Sequence, residues 1–117
     1  MSVTPFEQLA NLDRRVHDPA RLSILTALSA CERADFLFLQ RITGLTKGNL
    51  SSHLSKLEEG GLVETEKRFV NKKTQTLVRL SGEGRATIET YWKELQELRK
   101  SASRWQMHMS VPEPATG

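Results

Sequence analysis

Between Lys47 and Lys56 the chain sets out Lys47, Gly48, Asn49, Ser51, Ser52, His53 and Lys56, and no carboxylate appears from 46 to 57. An amide can pair with a base edge, an ammonium can neutralise a phosphate, and a hydroxyl can do either. Arg68, Lys72 and Lys73 form a second basic group further along. Together these types could hold a polyanion and read part of its sequence. Each has a plainer reading, because a lysine pair on a loop often serves only solubility. His53, beside the apolar Leu54, stays open between packing at a helix edge and touching a phosphate backbone.

The elements that must position these groups follow from the apolar pattern. Leu50, Leu54 and Leu57 recur at helical spacing and predict a helix over 47–59. Thr46 is suited to cap its start, and Gly60-Gly61 supplies a left-handed stop. A preceding helix over 36–43 should turn Phe36, Leu39 and Ile42 inward, with Gly44-Leu45 as the turn. Helix, short turn and helix make a helix-turn-helix. From Leu62 the period becomes two: Val63, Thr65, Lys67 and Phe69 alternate with Glu64, Glu66 and Arg68. A polar loop over 70–75 and a second β-rich run over 76–80 complete a wing. The expected fold is α+β, a mostly helical winged helix-turn-helix with a two- to three-stranded β-wing and a long C-terminal helix. The third strand would be a short one near Arg33-Ala34.

Thr4-Pro5-Phe6-Glu7 reads as a capping box opening a short helix with Phe6, Leu9, Leu12 and Val16 on one stripe. Asp18-Pro19 starts another, with Leu22, Leu25 and Leu28 inward and Ile24 alongside. Ser81 caps a last helix over about 83–104. There Ile88, Tyr91, Leu95, Leu98, Ala102, Trp105 and Met109 step by three and four, a heptad seam. A helix of about 22 residues spans about 33 Å, more than a small core needs. Left bare, such a stripe invites aggregation, so a homodimer is expected through Phe6, Leu9, Ile88, Tyr91, Leu95, Leu98 and Trp105. Glu94 and Arg99 flank the seam and could pair between chains. The expected organisation is an N-terminal dimer-contact helix (1–17), a DNA-binding core (18–82), a dimerisation helix (83–109) and a disordered tail (110–117).

The 117 residues suit one domain, and 38% hydrophobic with 26% charged residues describes a globular protein. A net charge of +3 is compatible with a polyanionic partner without establishing one. No apolar run is long enough to span a bilayer, no signal peptide is read, and the single Cys31 cannot form an internal disulfide. A cytoplasmic protein is the expectation. His17, His53 and His108 lie in separate contexts, and Met107-His108-Met109 lacks partner ligands. Neither a phosphate-cradling glycine loop nor a catalytic triad can be assembled, so no enzyme, cofactor or metal site is expected.

Asp18-Pro19-Ala20-Arg21-Leu22, Ile24-Leu25, Gly44-Leu45-Thr46, Leu50-Ser51, His53-Leu54, Leu57 and Gly61-Leu62-Val63 form one recognisable series. Leu80-Ser81 and Gly84-Arg85 continue it. With these the chain resembles winged-helix transcriptional regulators of the MarR and ArsR types, and above all the small single-domain winged helix DNA-binding group. The resemblance implies that helix 47–59 enters the major groove, while the hairpin tip reaches phosphates or the minor groove. It implies DNA contacts at Lys47, Asn49, Ser51, Ser52, His53, Lys56, Lys72 and Lys73, and repression as the usual outcome. ArsR-type proteins often carry a long basic residue where this chain has Ser52, so base reading would rest on shorter side chains, with Gly48 admitting close backbone approach. Two alternatives stand beside this. One is a protein-interaction adaptor, disfavoured by the acid-free stretch from 46 to 57. The other is a regulator gated by an apolar effector between the terminal helices, walled by Phe6, Tyr91 and Trp92.

Overall fold

Short polar side chains start every helix, and they do so by accepting the first free backbone N–H groups. In the computed structural model, which describes residues 4–108, Thr4 Oγ1 accepts from Glu7 N at 3.2 Å and opens α1 (Pro5–Ala10). Asp18 accepts from Arg21 N at 3.0 Å and opens α2 (Pro19–Ser29). Asp35, a cap not anticipated from the sequence, accepts from Phe38 N at 2.7 Å and opens α3 (Phe36–Thr43). Thr46 Oγ1 accepts from Asn49 N at 3.1 Å and starts α4 (Lys47–Glu59). Ser81 Oγ accepts from Gly84 N at 2.9 Å at the start of α5 (Gly82–His108), which is longer than expected at both ends.

Three antiparallel strands, β1 (Ala34–Asp35), β2 (Val63–Val70) and β3 (Lys73–Leu80), lie in the order β1-β3-β2. The β2–β3 register runs from Val63↔Leu80 to Val70↔Lys73. The expected loop over 70–75 is therefore only the pair Asn71-Lys72, with φ of 50° and 63°. Two left-handed residues make the hairpin turn whose twist matches that of the flanking strands. The expected alternation of β2 also needs correction. Val63 is buried, but Thr65, Lys67 and Phe69 on the same face are exposed, because the hairpin runs on past the edge of the core.

The core joins Leu50, Leu54 and Leu57 of α4 to Ile24, Leu25 and Leu28 of α2, with Leu39, Leu62, Val78 and Ile88 closing around them. Leu12 and Val16 are buried as expected, although the helix ahead of them stops at Ala10. Ile42, expected inward, is 48% exposed. At 100° per residue it turns away from Leu39 toward the outer side of α3, where it neighbours exposed Phe38. Phe36 and Leu22 are only half-buried.

The seam of α5 divides. Ile88, Tyr91 and Leu98, expected to face a second copy, are buried within the chain itself, where α1 and the segment after it pack on α5. Leu95 and Ala102 are half-buried and Trp105 is exposed, while Met109 and the expected tail lie outside the described residues.

At its base α5 is held against the end of α4. Gly61 N donates to Glu58 O at 3.0 Å and Leu62 N to Leu57 O at 2.9 Å, with Gly61 at φ 78°. This paired pattern is the Schellman stop that a left-handed glycine permits. Ser81 then donates from N to Leu62 O at 3.0 Å and from Oγ to Gly61 O at 2.6 Å. Gly84 lies so close that a Cβ built on it would stand 1.9 Å from Leu62 O, a backbone atom that cannot swing aside. Gly84→Ala is expected to lower stability by about 3 kcal/mol in urea unfolding. Gly82→Ala, with open space around its Cβ position, should change stability little.

Candidate nucleic-acid interface

Burying Leu50, Leu54 and Leu57 fixes which way every other side chain of α4 points. Gly48, Ser52 and Ser55 fall opposite the leucines and form the outermost ridge, all exposed. One flank, with Lys47, Ser51 and Ser55, lines an open groove of about 920 Å³. Lys67, Lys73 and Thr74 of the hairpin form its other wall. The fold thus brings together Lys47, Ser51 and Lys73 from distant parts of the chain. Asn49 and Lys56 are exposed on the opposite flank of α4. Ser55 and Lys67 were not singled out from the sequence. The signal for Ser55 was its helical spacing from Ser51; nothing but the fold aims Lys67 at α4.

His53 is half-buried, and its Nδ1 is enclosed without a hydrogen-bond partner among the described residues. This places the ring at the packed edge of α4. Arg68 lies on the face of the hairpin opposite to Lys67, and its Nε donates to Glu66 Oε1 at 3.2 Å, so its charge is engaged locally. Lys72 stands at the turn itself. A non-glycine residue at positive φ carries a cost of about 1–2 kcal/mol, and here that position carries a charge instead of a hydrogen atom. Thr65 Oγ1 donates to Glu58 Oε2, which draws the first carboxylate of α4 toward the root of the wing.

Behind the interface Arg15 ties three segments together. Its Nη1 donates to Gly60 O at 3.0 Å and to Glu83 Oε1 at 3.1 Å, and its Nη2 to Asp13 Oδ2 at 2.8 Å. Arg21 Nε in turn donates to Arg15 O at 2.9 Å. The end of α4, the start of α5 and the segment before α2 are thus joined through one guanidinium. The Arg15 guanidinium holds the Asp13 carboxyl below the usual carboxylate range, against the opposing effect of burial. The Arg21 N–H does the same for Asp18, aided by the charges of Arg21 and His53. Burial raises the Tyr91 phenol, whose oxygen lies 2.9 Å from His17 Nδ1.

The effector pocket expected behind Phe6, Tyr91 and Trp92 is not formed by those rings. Phe6 meets Trp105 edge-on at 5.9 Å, and Tyr91 is buried against Trp92 at 5.5 Å. The depression between α1 and α5 is instead lined by Gln8, Asn11 and Leu12 with Lys93, Glu94 and Leu98. Among the described residues no group of three or more His, Cys, Asp or Glu side chains could hold a metal ion, and no helix is long and apolar enough to cross a membrane.

Residues 20–99 match the family described as winged helix DNA-binding domain. An uncharacterized protein of Methanocaldococcus jannaschii is 37% identical over 81 residues, which is 69% of this chain and 88% of that protein. Among solved structures, a transcriptional regulator homologue from Pyrococcus horikoshii superposes with a TM-score of 0.74 at 29% identity, covering 80% of this chain and 95% of its own. A MarR family transcriptional regulator from Silicibacter pomeroyi gives a TM-score of 0.58 at 25% identity, covering 92% of this chain and 71% of the other.

The two depressed carboxyls set an acid limit on the scaffold. Asp13 and Asp18 sit below their ordinary value of 3.8, so the unfolded chain takes up protons first as pH falls. Their stabilisation is complete above that value and is lost as pH drops through the folded values. The urea midpoint is expected to fall between about pH 5 and pH 2. In Asp18→Asn, which keeps a capping oxygen but no charge, it should fall less steeply.

Proposed function

The chain belongs to the winged helix DNA-binding domain family, and on that premise we propose that it is a sequence-specific regulator of transcription that binds double-stranded DNA as a homodimer. The observation that carries this reading is the shared groove: Lys47 and Ser51 of α4 face Lys67 and Lys73 of the wing across it. In this reading α4 enters the major groove with Gly48, Ser52 and Ser55 foremost, and Asn49 reads a base from one flank. Lys47, Lys56, Lys72 and Lys73 neutralise phosphates, which supplies affinity on any sequence. Repression, by occupying a promoter, is the outcome that fits such binding.

The dimer is proposed on a narrower surface than the whole α5 seam. Phe6 and Leu9 of α1, 54% and 46% exposed, lie with Trp105 of α5 on apolar ground that the other described residues leave uncovered. A second copy seated there would relate two α4 helices so that they enter successive major grooves about 34–36 Å apart.

Fluorescence anisotropy on duplex DNA across a salt titration tests the reading. The binding constant should fall steeply with salt, and Lys47→Ala and Lys72→Ala should each reduce the slope by about one. Asn49→Ala should cost about 1–3 kcal/mol on a selected site and little on random duplex; equal losses on both would remove its base-reading role. Absence of any binding to duplex DNA at low salt would overturn the reading itself. In sedimentation analysis the wild type should be a dimer and Leu9→Glu a folded monomer. A variant that still sediments as a dimer would place the interface elsewhere.

A further inference from the structure

The tip of the wing carries an apolar group that the electrostatic reading does not use. Phe69 is 76% exposed, the most exposed large hydrophobic side chain among the described residues, and Val70 beside it is 45% exposed. Burying a phenylalanine is favourable, and the described residues leave that gain unrealised. The reason is geometric. Phe69 shares the β2 face of Val63 and Thr65, but the core ends before Thr65 and only Thr74 stands opposite the ring.

What surrounds the ring defines what it suits. Lys67 shares its face of β2, Lys72 stands at the turn beyond it, Arg68 and Lys73 lie on the other face of the same hairpin, and no acidic residue occurs from 67 to 82. The turn beyond it is only Asn71-Lys72, so the hairpin ends in a narrow two-stranded tip. A ring flanked by cations on a narrow tip fits a partner with apolar walls between two rows of negative charge. The DNA minor groove is such a partner: it is about 6 Å wide, floored by base edges, walled by sugars and rimmed by phosphates. The same β2 face carries Lys67, which lines the groove toward α4, and the ring stands two residues further out, beyond that lining, at the projecting end of the hairpin.

We propose that Phe69 is an apolar wedge that enters the minor groove beside the major groove occupied by α4 and presses on a base step there. The inference rests on the DNA-binding reading above and adds a source of sequence choice to it. Pyrimidine–purine steps such as TA and CA unstack most readily, so the wedge favours one of them at a fixed distance from the site read by α4. The selectivity arises from the deformability of DNA and needs no hydrogen bond to a base.

The test compares wild type with Phe69→Ala and Phe69→Leu, first in salt titrations on random duplex and then in selection of bound sequences from a random pool. Because the ring is exposed, both variants should fold as the wild type does, which circular dichroism checks. Phe69→Ala should lose about tenfold on the selected site while keeping the wild-type salt slope, since no charge is removed. Phe69→Leu should retain most of the affinity. Wild-type selections should show a TA or CA step at the wing position, and Phe69→Ala selections should not. 2-Aminopurine placed at that step should brighten with wild type only. An unchanged affinity and an unchanged selected sequence in Phe69→Ala would overturn the wedge while leaving DNA binding intact. Failure of the wild type to bind any duplex would instead overturn the reading beneath it. Loss of binding to phosphatidylserine vesicles in Phe69→Ala, with DNA binding unaltered, would reassign the tip to a lipid surface and equally overturn the wedge.

Discussion

The close approach of Gly84 to the Leu62 carbonyl is the contact on which the rest of the arrangement depends. Three elements meet there: the end of α4, the first residue before β2 and the first turn of α5. Ser81 bonds to both Gly61 O and Leu62 O, and Arg15 reaches Gly60 O and Glu83 from the far side. Because backbone packs directly on backbone at Gly84, with hydrogen bonds from Ser81 and Arg15 around it, the contact leaves little freedom in the angle between α4 and α5. The direction of the helix that would face DNA is thereby set by the direction of the longest helix in the chain.

The same base explains where the apolar surface is spent. Leu50, Leu54 and Leu57 fill the centre against α2, and α5 closes it with Ile88, Tyr91 and Leu98. Beyond that centre the elements run on. The hairpin continues past its last buried positions, and α5 continues past the residues that α1 can cover. Exposed large apolar side chains accordingly gather at projecting parts: Phe69 and Val70 on the wing, Phe6, Leu9 and Trp105 on the terminal helices, and Leu37, Phe38 and Ile42 on the outer side of α3. Such residues mark surfaces left to contacts outside the chain. Lys47, Lys67 and Lys73, by contrast, line the groove between α4 and the wing.

Much of the fold was legible because local rules and global packing agree. Thr46, Asp18, Ser81 and Gly61 act at the helix ends where their side chains or backbone freedom suit them, and the leucine period places α4 with the right inner face. The points of disagreement share a cause. Periodicity says which residues share a face; it does not say whether anything covers that face. Thr65, Lys67 and Phe69 share the face of Val63, and Ile42 was grouped with Leu39, yet both sets lie beyond the reach of the core. Ile88, Tyr91 and Leu98 follow a heptad that would serve a partner helix equally well, and the chain uses them for itself.

The sequence by itself determined the order of elements, their caps, the inner stripe of α4 and the concentration of lysines, amide and hydroxyls on its remaining faces. These are consequences of short-range geometry, which a one-dimensional pattern carries. Only the tertiary structure decided that Lys47 and Ser51 share a groove with Lys67 and Lys73, that Asn49 stands on the other flank, and that the wing turns on Asn71-Lys72 alone. Those facts depend on strand register and on the angle between α4 and the hairpin. Both are fixed by contacts between residues far apart in the chain, which a one-dimensional pattern does not carry.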